Sequence, residues 1–324
     1  MNNTHSNKKE FLKSIFYKKE IAVLIGIIII VIIFGSISPV FFTTINILNM
    51  LRATSQLGIL SLGVLVVMLT GELDFSVGSV VSLSGMILGV LIGRVGLNNW
   101  LALLIALLIG VFFGFLHGIL VVKAKVPSFI VTLGTSMVYS TLSLVICGGI
   151  PVTNFKEANF FNVFSGRIRG IPIEIIWLAV LSLIFYFLLT KMNFGYHVFA
   201  IGGNIKAAKI CGINTDKIKI ISFIMSTVLA VIAGAVSMSY LMVSSPETGS
   251  GMELFAITAV VIGGATLSGG QGSVFGALLG VLLIGILRNG FIMLGLPSFY
   301  QTGFIGIVLI AAIMFQSMLS DKKI

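Results

Sequence analysis

The chain has 324 residues, of which 57% are hydrophobic and 9% are charged, and its formal net charge at pH 7 is +10. Its mean hydropathy of +1.16 leaves too little polar surface for a soluble globular protein. A nucleic-acid-binding protein is excluded as well, because the positive charge lacks a soluble basic face on which to act. The composition therefore predicts an all-α, polytopic membrane protein.

Apolar runs divide the chain into ten candidate membrane spans. A bilayer core of about 30 Å needs roughly 20 apolar residues in a helix. Two of the runs are short for that purpose and end in Gly and polar residues, which is typical of broken helices that line a transporter cavity. We predict a bundle of about ten helices, some short or broken. The predicted spans are 21–37, 57–71, 77–93, 100–122, 126–147, 173–190, 220–242, 255–267, 273–296 and 300–319, and the two short ones are 57–71 and 255–267.

Lys and Arg are distributed unequally between the two sides of this predicted bundle. If the N-terminus lies in the cytoplasm, fourteen of these residues are cytoplasmic and six lie outside or near the outer ends of spans. Cytoplasmic loops carry the excess of Lys and Arg, so we expect both termini in the cytoplasm and an even number of spans. The predicted organisation is a basic tail (1–20), one transmembrane permease domain (21–319) with a cytoplasmic loop (191–219) and an outer loop (148–172), and a short cytoplasmic tail (320–324).

Two acidic residues, Glu72 and Asp74, lie between the second and third predicted spans. Acidic groups at membrane depth are costly and tend to be functional, so they could bind a cation or a hydroxyl-rich substrate. The alternative, which we favour, places both at the cytoplasmic interface, where Asp74 or Ser76 caps the next helix. The candidates for the translocation path or a hinge are Glu72, Asp74, Ser76, Gly78, Ser79, Gly263 and Gly264.

The sequence LSGGQ at 267–271 is the signature of ABC ATPases. That motif requires a P-loop with a Gly-Lys dipeptide in the same domain, and this chain contains no Gly-Lys dipeptide. We therefore interpret LSGGQ as a turn between the eighth and ninth spans. Repeated Gly-x-x-x-Gly spacings, as at Gly110, Gly114 and Gly118, are interpreted mainly as tight helix packing.

The histidines and cysteines do not form a recognisable site. His5, His117 and His197 lie in separate segments without metal-ligand spacing, so no metal site is predicted. His117, within the fourth span, is interpreted as a packed or cavity-facing residue hydrogen-bonded to a neighbouring helix. Cys147 and Cys211 fall on opposite sides of the membrane and cannot form a disulfide. No acid, base and nucleophile set is present, so we do not expect an enzyme.

Four segments of the chain carry a resemblance to a known family. They are GELDFSVGSVVSLSG (71–85), VPSFIVTLGTSMV (126–138), FAIGGNIKAAKICGIN (199–214) and PETGSGMELFAITAVVIGGATLSGGQGSVFGALLG (246–280). With these segments the chain closely resembles the permease subunits of bacterial ABC importers for monosaccharides, of the ribose, xylose, arabinose and galactose type. The likeness covers nearly the whole chain from about residue 40. Glu72 and Phe75 stand where Ile and Leu are common in ribose-type members.

The resemblance implies a ten-span permease that forms the pathway for a simple sugar in the bacterial cytoplasmic (inner) membrane. It implies three partners: a cytoplasmic ABC ATPase that uses ATP–Mg, an extracytoplasmic sugar-binding protein, and a second permease copy in a homodimer or heterodimer. No cofactor is expected on this chain. One alternative is an ion-coupled secondary transporter of a small polar solute, which needs an ionisable residue in mid-membrane. Apart from His117 the spans offer almost none. Another is an ABC permease for an autoinducer-2-like furanose or a polyol.

The resemblance also implies two contact regions. The family's coupling segment, E-A-A-x-x-x-G, falls on Lys206, Ala207, Ala208 and Gly212, with Lys206 in place of the usual Glu. A short helix over 204–212 would seat in an ATPase groove and end at Gly212 in a left-handed conformation. Charges on the outer loop would help to dock the binding protein. The candidates are Gly202, Gly203, Asn204, Lys206, Ala207, Ala208 and Gly212 for coupling, and Lys156, Arg167 and Arg169 for docking.

Overall fold

The computed structural model describes residues 19–153, 155 and 158–321. Within these residues the chain is almost entirely helical, and its one sheet is a two-stranded antiparallel hairpin, β1 (Arg167–Ile168) and β2 (Ile171–Pro172). The helices are α1 (Lys19–Ile37), α2 (Thr44–Leu69), α3 (Val77–Gly89, extended by a π-helical turn at Val90–Arg94), α4 (Asn99–Val122), α5 (Ser128–Cys147), α6 (Ala158–Ser165), α7 (Ile173–Thr190), α8 (Asn193–Gly203), α9 (Ile205–Ile210), α10 (Thr215–Leu241), α11 (Met252–Ile262), α12 (Val274–Met293) and α13 (Ser298–Asp321).

Eight of the described helices are long and apolar enough to cross a membrane: α1 to α5, α7, α10 and α12. Two shorter apolar helices, α11 and the Phe299–Met314 part of α13, match the remaining predicted spans. The predicted all-α, polytopic fold is confirmed.

The prediction that the second span is short was wrong. Helix α2 has 26 residues and begins at Thr44, whose neighbour Thr43 accepts a hydrogen bond from the N–H of Asn46. The polar residues of its first half, Arg52 among them, interrupt the apolar run. The Arg52 side chain is nevertheless only 13% exposed, because it lies against its hydrogen-bonding partners on other helices. Hydropathy alone therefore misses the N-terminal half of this helix.

Helix α10 lies against α4, and glycines allow the two backbones to approach closely. An added Cβ at Gly114 would overlap the Cα of Ile224, and one at Gly118 would meet the Cα of Ile220 at 2.7 Å. The Thr227 hydroxyl also donates to the Gly110 carbonyl at 2.8 Å. Tight helix packing is thus confirmed for this glycine series.

The segment before α11 turns back into the bundle alongside α3. Its start is held near the C-terminal end of α3, where the Ser244 hydroxyl donates to the Gly85 carbonyl at 2.8 Å and packs on Gly89. Further along, Gly249 lies against Gly78 at the beginning of α3. Gly78 and Gly89 are separated by about 16 Å at 1.5 Å per residue. Helix α11, with 11 residues, therefore starts inside the bundle, as expected of a broken helix.

Candidate translocation cavity and coupling segment

A polar cavity of about 160 Å³ lies where α3, α5 and the segment that turns back before α11 come together. Serine hydroxyls can donate and accept hydrogen bonds, and carboxylates accept them, so the walls match a solute that carries many hydroxyl groups. The polar side chains that line the cavity are Ser79, Ser82, Ser136, Ser140, Glu247, Ser250 and Glu253.

Helical spacing explains why these serines share one cavity. Ser79 and Ser82 are three residues apart on α3, and Ser136 and Ser140 are four apart on α5, so each pair lies on one helix face. The third wall of the cavity is the segment before α11 with the first turn of that helix. Gly78 of α3 allows this wall to come close, because a Cβ there would overlap the Gly249 carbonyl and the Glu253 carboxylate. A backbone N–H of that wall, at Gly249, donates to Ser82 Oγ at 2.9 Å.

The predicted path or hinge residues occupy several different environments. Ser79 lines the cavity and Gly78 borders it. Glu72 instead forms a salt bridge with Lys219 at the start of α10. Gly263 packs on the Gly276 backbone of α12, and Gly264, with φ of +97°, lies in the turn after α11.

Asp74 is fully buried. Its carboxylate accepts hydrogen bonds from the Ser76 N–H at 2.9 Å, the Ser76 hydroxyl at 2.6 Å and the Ser226 hydroxyl of α10 at 2.9 Å. The expected capping of α3 is not found: the Asp74 carboxylate accepts from the N–H of Ser76, which precedes the helix, and Ser76 makes no side-chain cap bond. Asp74 stabilises the junction between α3 and α10 and does not line the cavity.

Sequence reasoning missed most of the cavity walls: Ser82, Ser136, Ser140, Glu247, Ser250 and Glu253. All but Ser140 fall inside three of the segments quoted above for the family resemblance. The signal that could have found the serines is their repetition at helical spacing in otherwise apolar spans.

His117 is packed at the interface of α4 and α5 and is 0% exposed. Its Nε2 is 2.9 Å from the Thr135 hydroxyl and 3.1 Å from the Tyr139 hydroxyl. The expected hydrogen bond to a neighbouring helix is confirmed. Among the described residues, no group of three or more His, Cys, Asp or Glu side chains could hold a metal ion.

The coupling segment forms a short helix, as predicted. Asn204 caps α9 by accepting from the N–H groups of Lys206 and Ala207, both at 3.0 Å. Gly212 follows the helix with φ of +80°. However, Ala208 is only 3% exposed and belongs to the hydrophobic core, so the expectation that it faces a partner together with Ala207 was wrong. Because the helix has one turn and a half, its buried and exposed faces alternate within a few residues.

The LSGGQ sequence forms a turn, as predicted, and this turn contacts the ends of α2 and α8. The N–H of Gly270 donates to the Leu69 carbonyl at the end of α2 at 3.0 Å. Gly202 of α8 packs against the same two groups, and an added Cβ there would overlap both. The adjacent Gly203 has no neighbour within 4 Å of such a Cβ.

A hairpin projects from the loop between α5 and α7. Its two-residue turn consists of Arg169 and Gly170, with φ of +51° and +87°, the backbone that two-residue hairpins favour. Arg167 and Arg169 are both exposed. The third docking candidate, Lys156, lies outside the described residues.

An ion pair that sequence reasoning missed anchors this hairpin. Arg52 Nε lies 2.6 Å from Glu174 Oε1, and a second Arg52 nitrogen donates to the Ser165 carbonyl at 2.8 Å. Glu174 is fully buried. Glu174 lies in the first turn of α7 and Arg52 in the N-terminal part of α2. The pair is therefore near the ends of its helices, and the expectation that the middle of the spans holds almost no ionisable residue apart from His117 stays a prediction.

The chain matches the family described as "Branched-chain amino acid transport system / permease component" over residues 46–313. It is 39% identical to the ribose import permease protein RbsC of Bacillus subtilis (strain 168), over 90% of each chain. It is 35% identical to RbsC of Escherichia coli (strain K12), over 99% of this chain and 98% of that protein. The D-allose transport system permease protein AlsC of Escherichia coli (strain K12) is 35% identical, over 97% and 96%.

No solved structure matches the chain. The relatives are transport permeases and not enzymes, and they do not favour the secondary-transporter alternative. With eight helices of spanning length, the chain is a multi-pass protein of the bacterial inner membrane. The match of a permease family to most of the chain, together with relatives aligned along nearly its full length, shows that it belongs to the family of ABC-importer permease subunits.

Proposed function

We propose that this permease subunit forms the translocation pathway for a monosaccharide, and that the pathway passes through the serine- and glutamate-lined cavity. The observation that carries the proposal is the concentration of seven polar side chains at one point of an apolar bundle. Two of the relatives are named for the transport of ribose and D-allose, which supports a simple sugar as the substrate. The sugar is delivered by an extracytoplasmic binding protein and moved by a separate ATPase subunit, which binds and uses ATP–Mg.

A second permease copy would complete the cavity wall. Ser140 is exposed on α5, and Met137 on the same helix is 73% exposed. A polar cavity that opens toward hydrocarbon is unfavourable because lipid cannot satisfy its hydrogen-bonding groups. A partner permease, identical or similar to this chain, would cover it and place the pathway between the two copies.

The exposed face of α9 is the proposed contact with the ATPase. Lys206, Ala207 and Ile210 are all exposed, and Ile210 is 87% exposed. An exposed isoleucine beside lysines is suited to a groove that has an apolar pocket and acidic neighbours. The ATPase groove should therefore carry an acidic side chain opposite Lys206.

Substitution at the exposed alanine tests this contact. Ala207→Glu should weaken binding of the ATPase roughly tenfold or more, because overfilling a packed contact costs about 1–3 kcal/mol. The measurement is ATPase co-purification together with sugar uptake, and Asn193→Glu, at an exposed position at the start of α8, is the control. Ala208→Glu should instead lower the thermal stability of the permease itself, because Ala208 is buried.

Normal co-purification with Ala207→Glu would remove α9 from the interface. Uptake that persists after ATP depletion, with the proton gradient intact, would contradict ATP-driven transport and favour a secondary transporter.

The exposed hairpin is the proposed docking element for the binding protein. Replacing Arg167 and Arg169 together with Ala should slow association on the order of tenfold at low salt, because exposed charges steer encounter. The double variant Arg167→Lys and Arg169→Lys keeps both positive charges, so the binding protein should associate with it at the normal rate. The measurement is uptake at limiting binding protein over a range of ionic strength, and an unchanged rate for the Ala pair would contradict docking through these arginines.

A further inference from the structure

We propose that the cavity is a charge filter: Glu247 and Glu253 make it permeable to neutral sugars and repel anionic ones, such as sugar acids and phosphorylated sugars. The filter belongs to the permease and acts in addition to any selection by the binding protein. This inference rests on the proposed function, because it assumes that the sugar passes through this cavity.

The charge in the described lining is of one sign. It contains two carboxylates, five serine hydroxyls and no Lys or Arg. Arg288, a cation near α11, has its guanidinium over the Phe255 ring, 5.0 Å from the centroid. Among the described residues Arg288 forms no salt bridge with Glu253. The carboxylates therefore face the cavity without a cation to neutralise them.

Two helix N-termini adjoin the cavity, and such ends ordinarily attract anions. Here each already has a carboxylate of this chain. Asp74 accepts from the Ser76 N–H immediately before α3, and Glu253 lies in the first turn of α11. The partial positive charge of both helices is thus offset internally and is not available to an anionic solute.

The same walls are suited to a neutral sugar. Sugar hydroxyls can donate to the two carboxylates and exchange hydrogen bonds with the serines. An anionic sugar would bring its charge close to two carboxylates in a site surrounded by apolar helices, where repulsion is screened much less than in water. The cavity therefore discriminates between sugars by their charge, and only weakly by the arrangement of their hydroxyl groups.

Thiol labelling measures the sign of this potential directly. In the assembled importer with Cys147→Ala and Cys211→Ser, single cysteines are introduced as Ser140→Cys and Ser250→Cys within the cavity. A third, Val40→Cys in the turn between α1 and α2, is the reference site, because Val40 is exposed and residues 21–51 contain no charged side chain. Each is reacted with a cationic, an anionic and a neutral methanethiosulfonate reagent, and the rate constants are compared.

We expect the cation-to-anion rate ratio in the cavity to exceed that at the reference on the order of tenfold, as for a cleft lined by one sign of charge. Glu247→Gln and Glu253→Gln should each lower the ratio severalfold. Their rate with the neutral reagent should be unchanged, which shows that the cavity is still formed. Glu247 is exposed, so its replacement tests the filter without disturbing packing.

A cavity ratio equal to the reference ratio, or one that neither Gln variant changes, would overturn the filter. A second measurement tests whether sugar passes through this cavity at all. Complete modification by the neutral reagent at Ser140→Cys or Ser250→Cys should block sugar uptake in a variant that transports before labelling. Uptake that survives it would show that sugar travels elsewhere, whatever the charge ratio.

Discussion

Single glycines decide how α8 and the coupling segment meet the bundle. A side chain at Gly202 would overlap the end of α2 and the LSGGQ turn, whereas a side chain at Gly203 would point into open space, although its backbone also lies near Gly270. The two residues are adjacent in sequence and identical in type, so local propensity cannot distinguish them. The contact at Gly202 is one of the links between the coupling segment and the spans, and it has no room for a side chain.

This pair yields a matched prediction. Gly202→Ala should destabilise the permease by about 1–3 kcal/mol because of overpacking, and uptake should fall with it. Gly203→Ala should remain within about 0.5 kcal/mol of the parent. Thermal unfolding of the purified permease measures both, and equal effects of the two substitutions would contradict the packing at Gly202.

At the scale of elements, the bundle depends on faces of small residues that let helices approach. The series Gly110, Gly114 and Gly118 presents one face of α4 to α10 at a spacing of four residues. Gly134 of α5 is also helical but has nothing within 4 Å of an added Cβ. The same residue type is therefore structural on α4 and tolerant on α5.

Alanine substitution should separate these two helices. Gly114→Ala forces α4 away from Ile224 and Thr227, so we expect a loss of about 1–3 kcal/mol. Gly134→Ala should be neutral or slightly stabilising, because Ala favours helix by about 1 kcal/mol over Gly. The midpoint of thermal unfolding is the readout, and a stable Gly114→Ala protein would refute close α4–α10 packing.

At the scale of the whole molecule, α2 connects the two ends of the bundle. Near its start Arg52 pairs with Glu174 beside the exposed hairpin. Just beyond its end Glu72 pairs with Lys219, and the Leu69 carbonyl accepts from Gly270. We propose that the hairpin end is extracytoplasmic and the α9 end cytoplasmic, with both termini inside.

Thiol labelling of intact cells tests this orientation. Cys211 is exposed and Cys147 is buried. In the proposed orientation Cys211 is cytoplasmic, so a membrane-impermeant reagent should miss both. It should label Ile168→Cys on the hairpin and miss Ser6→Cys in the N-terminal tail. Strong labelling of Cys211 or Ser6→Cys would reverse the assignment of the two sides.

The sequence by itself determined the features that depend on neighbours along the chain. Hydropathy located the spans, although it missed the N-terminal half of α2, where polar residues such as Arg52 have partners distant in sequence. Asn204 and Gly212 marked the ends of the coupling helix, and the absence of a Gly-Lys dipeptide identified LSGGQ as a turn. Caps, turns and apolar runs are local, so one chain segment is sufficient to specify them.

Only the tertiary structure decided which helix faces meet. It brought the walls of the cavity together from three distant segments, paired Arg52 with Glu174, and buried Ala208 while exposing Ala207. These contacts depend on the rotation and depth of each helix relative to its neighbours. Helix packing sets both through the small residues at each interface, and no single segment contains that information.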